Sequence, residues 1–190
     1  MAGGELTFVR FAKNNSDWYA NLMKHVKFFA FTLFVAFIMA LLEVQIEGRM
    51  GWAAALPTWR KILPFSFFGM FGYAGKPLTG YHLYLWILLL TLPHFAFFFT
   101  EWTPKKEFLL LSFYVFFTTF EGILWFLVNP AYGWQNFTPK RARWYRQEPW
   151  LGIPLEYYPR FIVGGILYWL ANADIKVKAL RLPKLRKKTH

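Results

Sequence analysis

From Leu109 to Val128 the chain reads LLLSFYVFFTTFEGILWFLV, with Glu121 as its only charge. A helix rises about 1.5 Å per residue, so roughly 20 apolar residues cross a hydrocarbon core about 30 Å thick. Within that core every backbone polar group must be bonded internally, which leaves helices and closed barrels as the only spanning structures. The segment therefore predicts a transmembrane helix. A carboxylate inside it costs about 2.5 to 3.5 kcal/mol on insertion scales, so Glu121 is expected to be paired, neutralised or functional.

Three more segments have spanning character: Val26 to Ile46, Tyr81 to Thr100, and Tyr157 to Ala173. The last is shorter and carries Pro159 and Arg160 near its start, so it spans only if Arg160 snorkels outward and the helix lies little tilted. Between the first two, Lys61 to Ala74 is apolar but short and broken by Pro64, Gly69 and Gly72, which predicts an interfacial or re-entrant segment. The expected fold is all-α: a polytopic membrane helical bundle of about four transmembrane helices plus that segment, forming one domain over residues 1–190. Residues 1–25 lack the apolar core and cleavage site of a secretory signal, so the first span is expected to direct insertion. No internal repeat is evident.

The chain carries 22 Lys and Arg against 10 Asp and Glu, beside 23 Phe and 10 Trp. Basic residues placed at the flanks of apolar runs point to anionic lipid headgroups as partners and away from nucleic acid. Cysteine is absent, which removes disulfides, thiolate ligands and thiol catalysis. With four spans, both termini and the Glu101 to Lys106 turn share one face, which holds more basic residues than the other; the positive-inside rule then places the termini in the cytoplasm. The basic tail, residues 176–190, is expected to lie against the anionic leaflet or an acidic partner subunit.

That topology brings polar residues together. Glu43 and Glu47 are four apart and so share a helical face near the outer end of the first span. His82 opens the second span at the same level. Tyr114, Thr118, Glu121 and Trp125 form one stripe on the third, which ends near Asn129. Glu43, Glu47, His82, Glu121 and Asn129 are thus expected to line one cavity, with Glu121 deepest. In one reading Glu121 is the proton-exchanging or ligating group, Glu43 and Glu47 are its partners and His82 a gate or second ligand, with Trp125 and Asn129 beside them. If a metal were bound, Glu43, Glu47, His82 and Glu121 would be the ligands, since bundles build such sites from inward carboxylates. No Glu-x-x-His or His-Glu-x-x-His motif supports it, and no cofactor is assigned. The plainer reading has Glu121 protonated and bonded to a neighbouring helix, with Glu43 and Glu47 paired to Arg49, Arg60 or Arg160.

His94, after Pro93, lies on another face and shares it with Glu101; a local hydrogen bond is the expectation there. The outer loops interleave Trp52, Trp59, Trp134, Trp144 and Trp150 with arginines. They read either as an aromatic belt or as a cap in which Arg60, Arg141 and Arg143 grip a phosphate-bearing headgroup. Asn136-Phe137-Thr138 matches a glycosylation acceptor, which matters only in a lumenal loop.

Three functions fit: a membrane protein that binds, and in one form modifies, a lipid or other hydrophobic ligand; a structural or assembly subunit of a larger membrane complex; and a small transporter, for which repeats and broken helices are lacking. The first is preferred, on the buried carboxylates.

Overall fold

The computed structural model describes residues 2–62, 77–137, 151, 153–155 and 157–173, with side chains from Trp18 onward. The chain is mostly helical: α1 (Ala2–Glu47), strands β1 (Arg60–Ile62) and β2 (Pro77–Thr79), α2 (Gly80–His94), α3 (Pro104–Val128) and α4 (Tyr157–Asn172). Among the described residues three helical stretches are long and apolar enough to cross a membrane: Trp18–Glu47, Gly80–Phe98 and Pro104–Val128. They coincide with the three long apolar runs. The fourth expected span, α4, has 16 residues, or about 24 Å of helix, and falls outside that set.

Helix boundaries follow local chemistry. The sequence up to Pro57 contains no proline, and α1 accordingly continues through the polar residues that precede Val26. Thr79 caps α2 by accepting from the His82 backbone N–H. At the other end Pro93 lacks an N–H, and the helix tightens into a 3-10 turn over Phe95–Phe98, so the second span loses regular α geometry before Thr100. Thr103 caps α3, with Pro104 at its first position, where a missing N–H costs nothing.

α3 is the centre of the assembly, packed along α1 on one side and α4 on the other. α1 and α3 run in the same sense. Phe31 stacks on Phe113 low in the pair, Ala40 meets Trp125 and Phe126 higher up, and Asn129 Nδ2 donates to the Gly48 carbonyl at the top. α4 runs back: Tyr157 lies over Gly122, Ser112 Oγ donates to the Gly164 carbonyl at 3.0 Å, and Tyr168 and Asn172 bond His25 and Lys24. Helices in lipid associate through close packing and such interhelical bonds, because the tails around them are as apolar as their side chains. Small residues sit where this requires them. A Cβ on Gly164 would come within 3.1 Å of the Phe116 ring, whereas one on Gly165 would meet nothing, so only the first of this pair serves close approach.

α2 stands apart. Its only buried residues are Gly80 and His82, at its first turn. Below them Tyr114 Oη donates to the Trp86 carbonyl at 3.3 Å, and at its end His94 bridges to Glu107 of α3. β1 and β2 form a short antiparallel ribbon with Arg60 opposite Thr79 and Ile62 opposite Pro77. Of the interfacial or re-entrant segment expected over Lys61 to Ala74, Lys61 and Ile62 are exposed strand residues, and residues 63–74 lie outside the described residues.

Candidate functional site

The polar residues gather where α1 ends, α2 begins and α3 passes between them. Glu47, the last residue of α1, is 5% exposed, and its carboxylate is fully engaged. Oε1 accepts from the Ala53 backbone N–H at 2.6 Å and lies 3.2 Å from His82 Nε2; Oε2 accepts from the Trp52 N–H at 2.9 Å. The loop reaches back in this way because Gly48, Gly51, Trp52 and Ala53 all adopt left-handed φ, between 48° and 63°. For the two non-glycines that conformation costs about 1 to 2 kcal/mol each, and the two charge-assisted bonds to Glu47 offset it.

His82 completes the clamp. Its Nδ1 lies 2.7 Å from Thr79 Oγ1, which also accepts from the His82 backbone N–H. With the ring proton on Nε2 the accounting closes: the threonine hydroxyl donates to Nδ1, and Nε2–H donates to Glu47. Trp52 stacks on the imidazole at 4.2 Å between centroids, 23° from parallel, and donates from Nε1 to the Pro77 carbonyl. Glu47, His82, Trp52 and Thr79 thus form one unit that ties the first loop, the ribbon and α2 together.

Glu43, one turn below Glu47, looks elsewhere. It is 8% exposed, receives a hydrogen bond from Tyr81 Oη at 3.4 Å, and adjoins Glu121 of α3. Ionised carboxylates only accept, so two that adjoin bond each other only when one of them carries a proton. Oε1 of Glu121 is buried and has no hydrogen-bond partner among the described residues. Among the described residues, Arg160 of α4 is a cation whose field reaches Glu121, and its guanidinium carbon lies 5.6 Å from the Tyr157 ring centroid.

All four expected carboxylate and imidazole groups therefore lie together, arranged as two pairs. Glu47 bonds His82 and Glu43 adjoins Glu121, and among the described residues no group of three or more His, Asp or Glu side chains stands where it would hold a metal ion. Asn129, 1% exposed, caps α3: its side chain donates to the Gly48 carbonyl and accepts from the Ala131 N–H. Trp125, 4% exposed, packs on Phe126 and Tyr132. Tyr132 Oη donates to the Met50 carbonyl, and burial followed by the charge of Glu47 raises the pKa of that hydroxyl above its ordinary value. Arg60 donates to the carbonyls of Ala53, Ala54, Leu56 and Thr58, so its guanidinium binds its own loop. Arg141 and Arg143 lie outside the described residues. His94 makes the expected local bond, to the Leu90 carbonyl at 2.7 Å; its carboxylate partner is Glu107 at 3.1 Å, which also accepts from Trp102 Nε1.

Three contributors carried no signal strong enough to select them beforehand. Tyr81 as the donor to Glu43 and Tyr157 as the residue over Gly122 are two tyrosines among ten. Trp52 read as part of an aromatic belt, although glycines at 48 and 51 marked a turn in which its backbone could face Glu47.

Comparison of the chain with protein-family models, with curated proteins and with solved structures finds no match.

Proposed function

We propose that the protein is an integral membrane protein of four spans with cytoplasmic termini, in which Glu43 and Glu121 receive the polar end of a lipid or other hydrophobic ligand. The observation that carries this reading is the buried Glu121 Oε1, which lacks a partner among the described residues. A buried acceptor left unmade costs about 1 to 3 kcal/mol, more when charged, and a ligand hydroxyl or amine would recover it. Two adjoining carboxylates are groups that exchange a proton with such a ligand, and the Arg160 guanidinium supplies a fixed positive charge beside them. The Glu47–His82 clamp supports the site from outside by fixing the ends of α1 and α2. α4 counts as the fourth span in this reading: Arg160 lies in its first turn, and a short helix is accommodated by little tilt and local thinning of the bilayer.

A second reading, a subunit of a larger membrane complex, draws on α2. Tyr84 of α2, and Phe98 and Phe99 at the 3-10 turn that follows it, are 64%, 83% and 75% exposed, and the helix spends little of its surface on the described part of its own chain. A lipid-facing helix looks the same, so this reading stands second.

The test is solvent extraction and mass spectrometry of detergent-purified protein beside its Glu121→Gln variant, each checked for folding by thermal unfolding. A hydrophobic species bearing a hydroxyl or amine, near one per chain in the wild type and depleted in the variant, is the expected result. Identical extracts would sink the proposal. A transition metal near one per chain that disappears in the variant would replace it with a carboxylate-ligated centre.

A further inference from the structure

At the opposite end of the helices a second feature stands apart from the carboxylates. The lower parts of α1 and α3 and the end of α2 border an open cleft of about 530 Å³. Its walls are almost wholly apolar, with Phe31 from α1, Leu89 and Phe97 from the α2 side, and Leu110, Phe113 and Phe117 from α3. The polar side chains that line it, Thr100 and Lys106, lie together at its lower end. Lys106 and Phe117 are eleven residues apart on α3, so the cleft runs about 16 Å from the basic end toward the middle of the bundle.

We propose that this cleft holds one acyl chain of an anionic phospholipid whose phosphate sits at Lys106. The cleft is selective in its chemistry: a chain without polar atoms fits its walls, and an ammonium stands where a headgroup would emerge. Lys106 Nζ donates to the Glu101 carbonyl at 2.7 Å, which anchors it at the rim and leaves two of its three donors for phosphate oxygens. Lys27, exposed one turn below Phe31 on the same stripe of α1, and Lys105 add positive charge at that level. Against them stand the carboxylates of Glu101, which is exposed, and Glu107, which is occupied by His94 and Trp102. Three ammonium groups against two carboxylates leave the rim net positive. α3 also begins here, with Thr103 as its cap and the positive end of its dipole directed at the same point. This is the end at which basic residues concentrate in the sequence, and an anionic leaflet rewards each of them.

The test uses the full chain, purified and delipidated in detergent, with native mass spectrometry after addition of phosphatidylglycerol or phosphatidylcholine of identical acyl composition. The wild type is expected to retain one phosphatidylglycerol at about fivefold greater occupancy than phosphatidylcholine. Lys106→Ala should bring the two occupancies together. Leu110→Trp, which fills the cleft, should remove the retained lipid of either kind, and Leu89→Phe repeats that test from α2 should the first variant fold poorly. Leu127→Trp, on an exposed position of α3 away from the cleft, should behave as the wild type. Glu121→Gln should leave this lipid in place, which separates the cleft from the carboxylate site. Equal retention of both lipids by the wild type, or a retained lipid indifferent to both cleft-filling variants, would overturn the proposal.

Discussion

Glu43 and Glu47 lie one turn apart on the same stripe of α1 and face different partners: Glu47 is bonded to two backbone N–H groups of the following loop and to His82, whereas Glu43 accepts from Tyr81 and adjoins Glu121 on another helix. The two glutamates should therefore respond differently to the same conservative change. Glu47→Gln turns an amide N–H₂ toward donors that need an acceptor, and should destabilise by about 2 to 3 kcal/mol. Glu43→Gln places an amide donor beside Glu121 in place of a second carboxylate, and should cost under about 1 kcal/mol. Thermal unfolding of the two variants in one detergent checks the order; equal losses would show that the two sites are not chemically distinct.

The Glu47–His82 contact should appear as a coupling. Both groups are almost fully buried, so removing either strands the other. A double-mutant cycle of Glu47→Ala and His82→Ala is expected to give an interaction energy of about 1 to 3 kcal/mol. Strict additivity would mean that the loop bonds, and not the imidazole, carry the stability of the clamp.

Gly122 adjoins Glu121, and a Cβ added there would lie 2.5 Å from the Tyr157 hydroxyl oxygen. Gly122→Ala should therefore push α4 outward, at about 1 to 3 kcal/mol for overpacking. Because the obstruction is one atom at the end of a side chain, Tyr157→Phe should absorb most of that penalty when the two are combined. Unfolding of the single and double variants decides this, and a double variant as poor as the sum of its singles would place the clash elsewhere.

The proposed topology is open to direct labelling, because the chain has no cysteine of its own. Ala55→Cys lies in the loop after α1 and Thr100→Cys after α2, both at exposed positions. A membrane-impermeant maleimide applied to intact cells should modify the first at once and the second only after permeabilisation. The reverse pattern would invert the orientation, and labelling of both from one side would remove α2 from the spans.

The three long apolar helices were legible because a bilayer imposes a length and a polarity that few sequences meet by accident. Leu109 to Val128 announces α3 within five residues of its start. The convergence of Glu43, Glu47, His82 and Glu121 was legible for a related reason: a helix fixes height, and these residues share a level once the spans alternate in direction. Pairing was not legible, because it depends on rotation about each helix axis and on loop conformation. Arg60 illustrates the loss. Its sequence neighbours Trp59 and Lys61 suggested a headgroup contact, yet the carbonyls left open by the left-handed turn around Ala53 claim its guanidinium first. For His94 the ring of helical positions suggested Glu101, but the 3-10 turn after Pro93 takes Glu101 off that face and admits Glu107 from α3.

α3 packs against α1, which precedes it by tens of residues, and against α4, which follows it, while α2 between them is only lightly attached. If the helices span as proposed, α1 and α2 enter the bilayer during synthesis before the α3 surface on which α1 packs has been made. Until then the polar contacts between α1 and α2 are, among the described residues, the clamp around Glu47 and the bond from Tyr81 to Glu43. Insertion and assembly are then separate events, and the interval between them ends when α3 arrives. On that topology a lesion in the clamp would act early, by loosening α1 from α2, whereas one in Gly122 or Ser112 would act late, when α4 packs on α3.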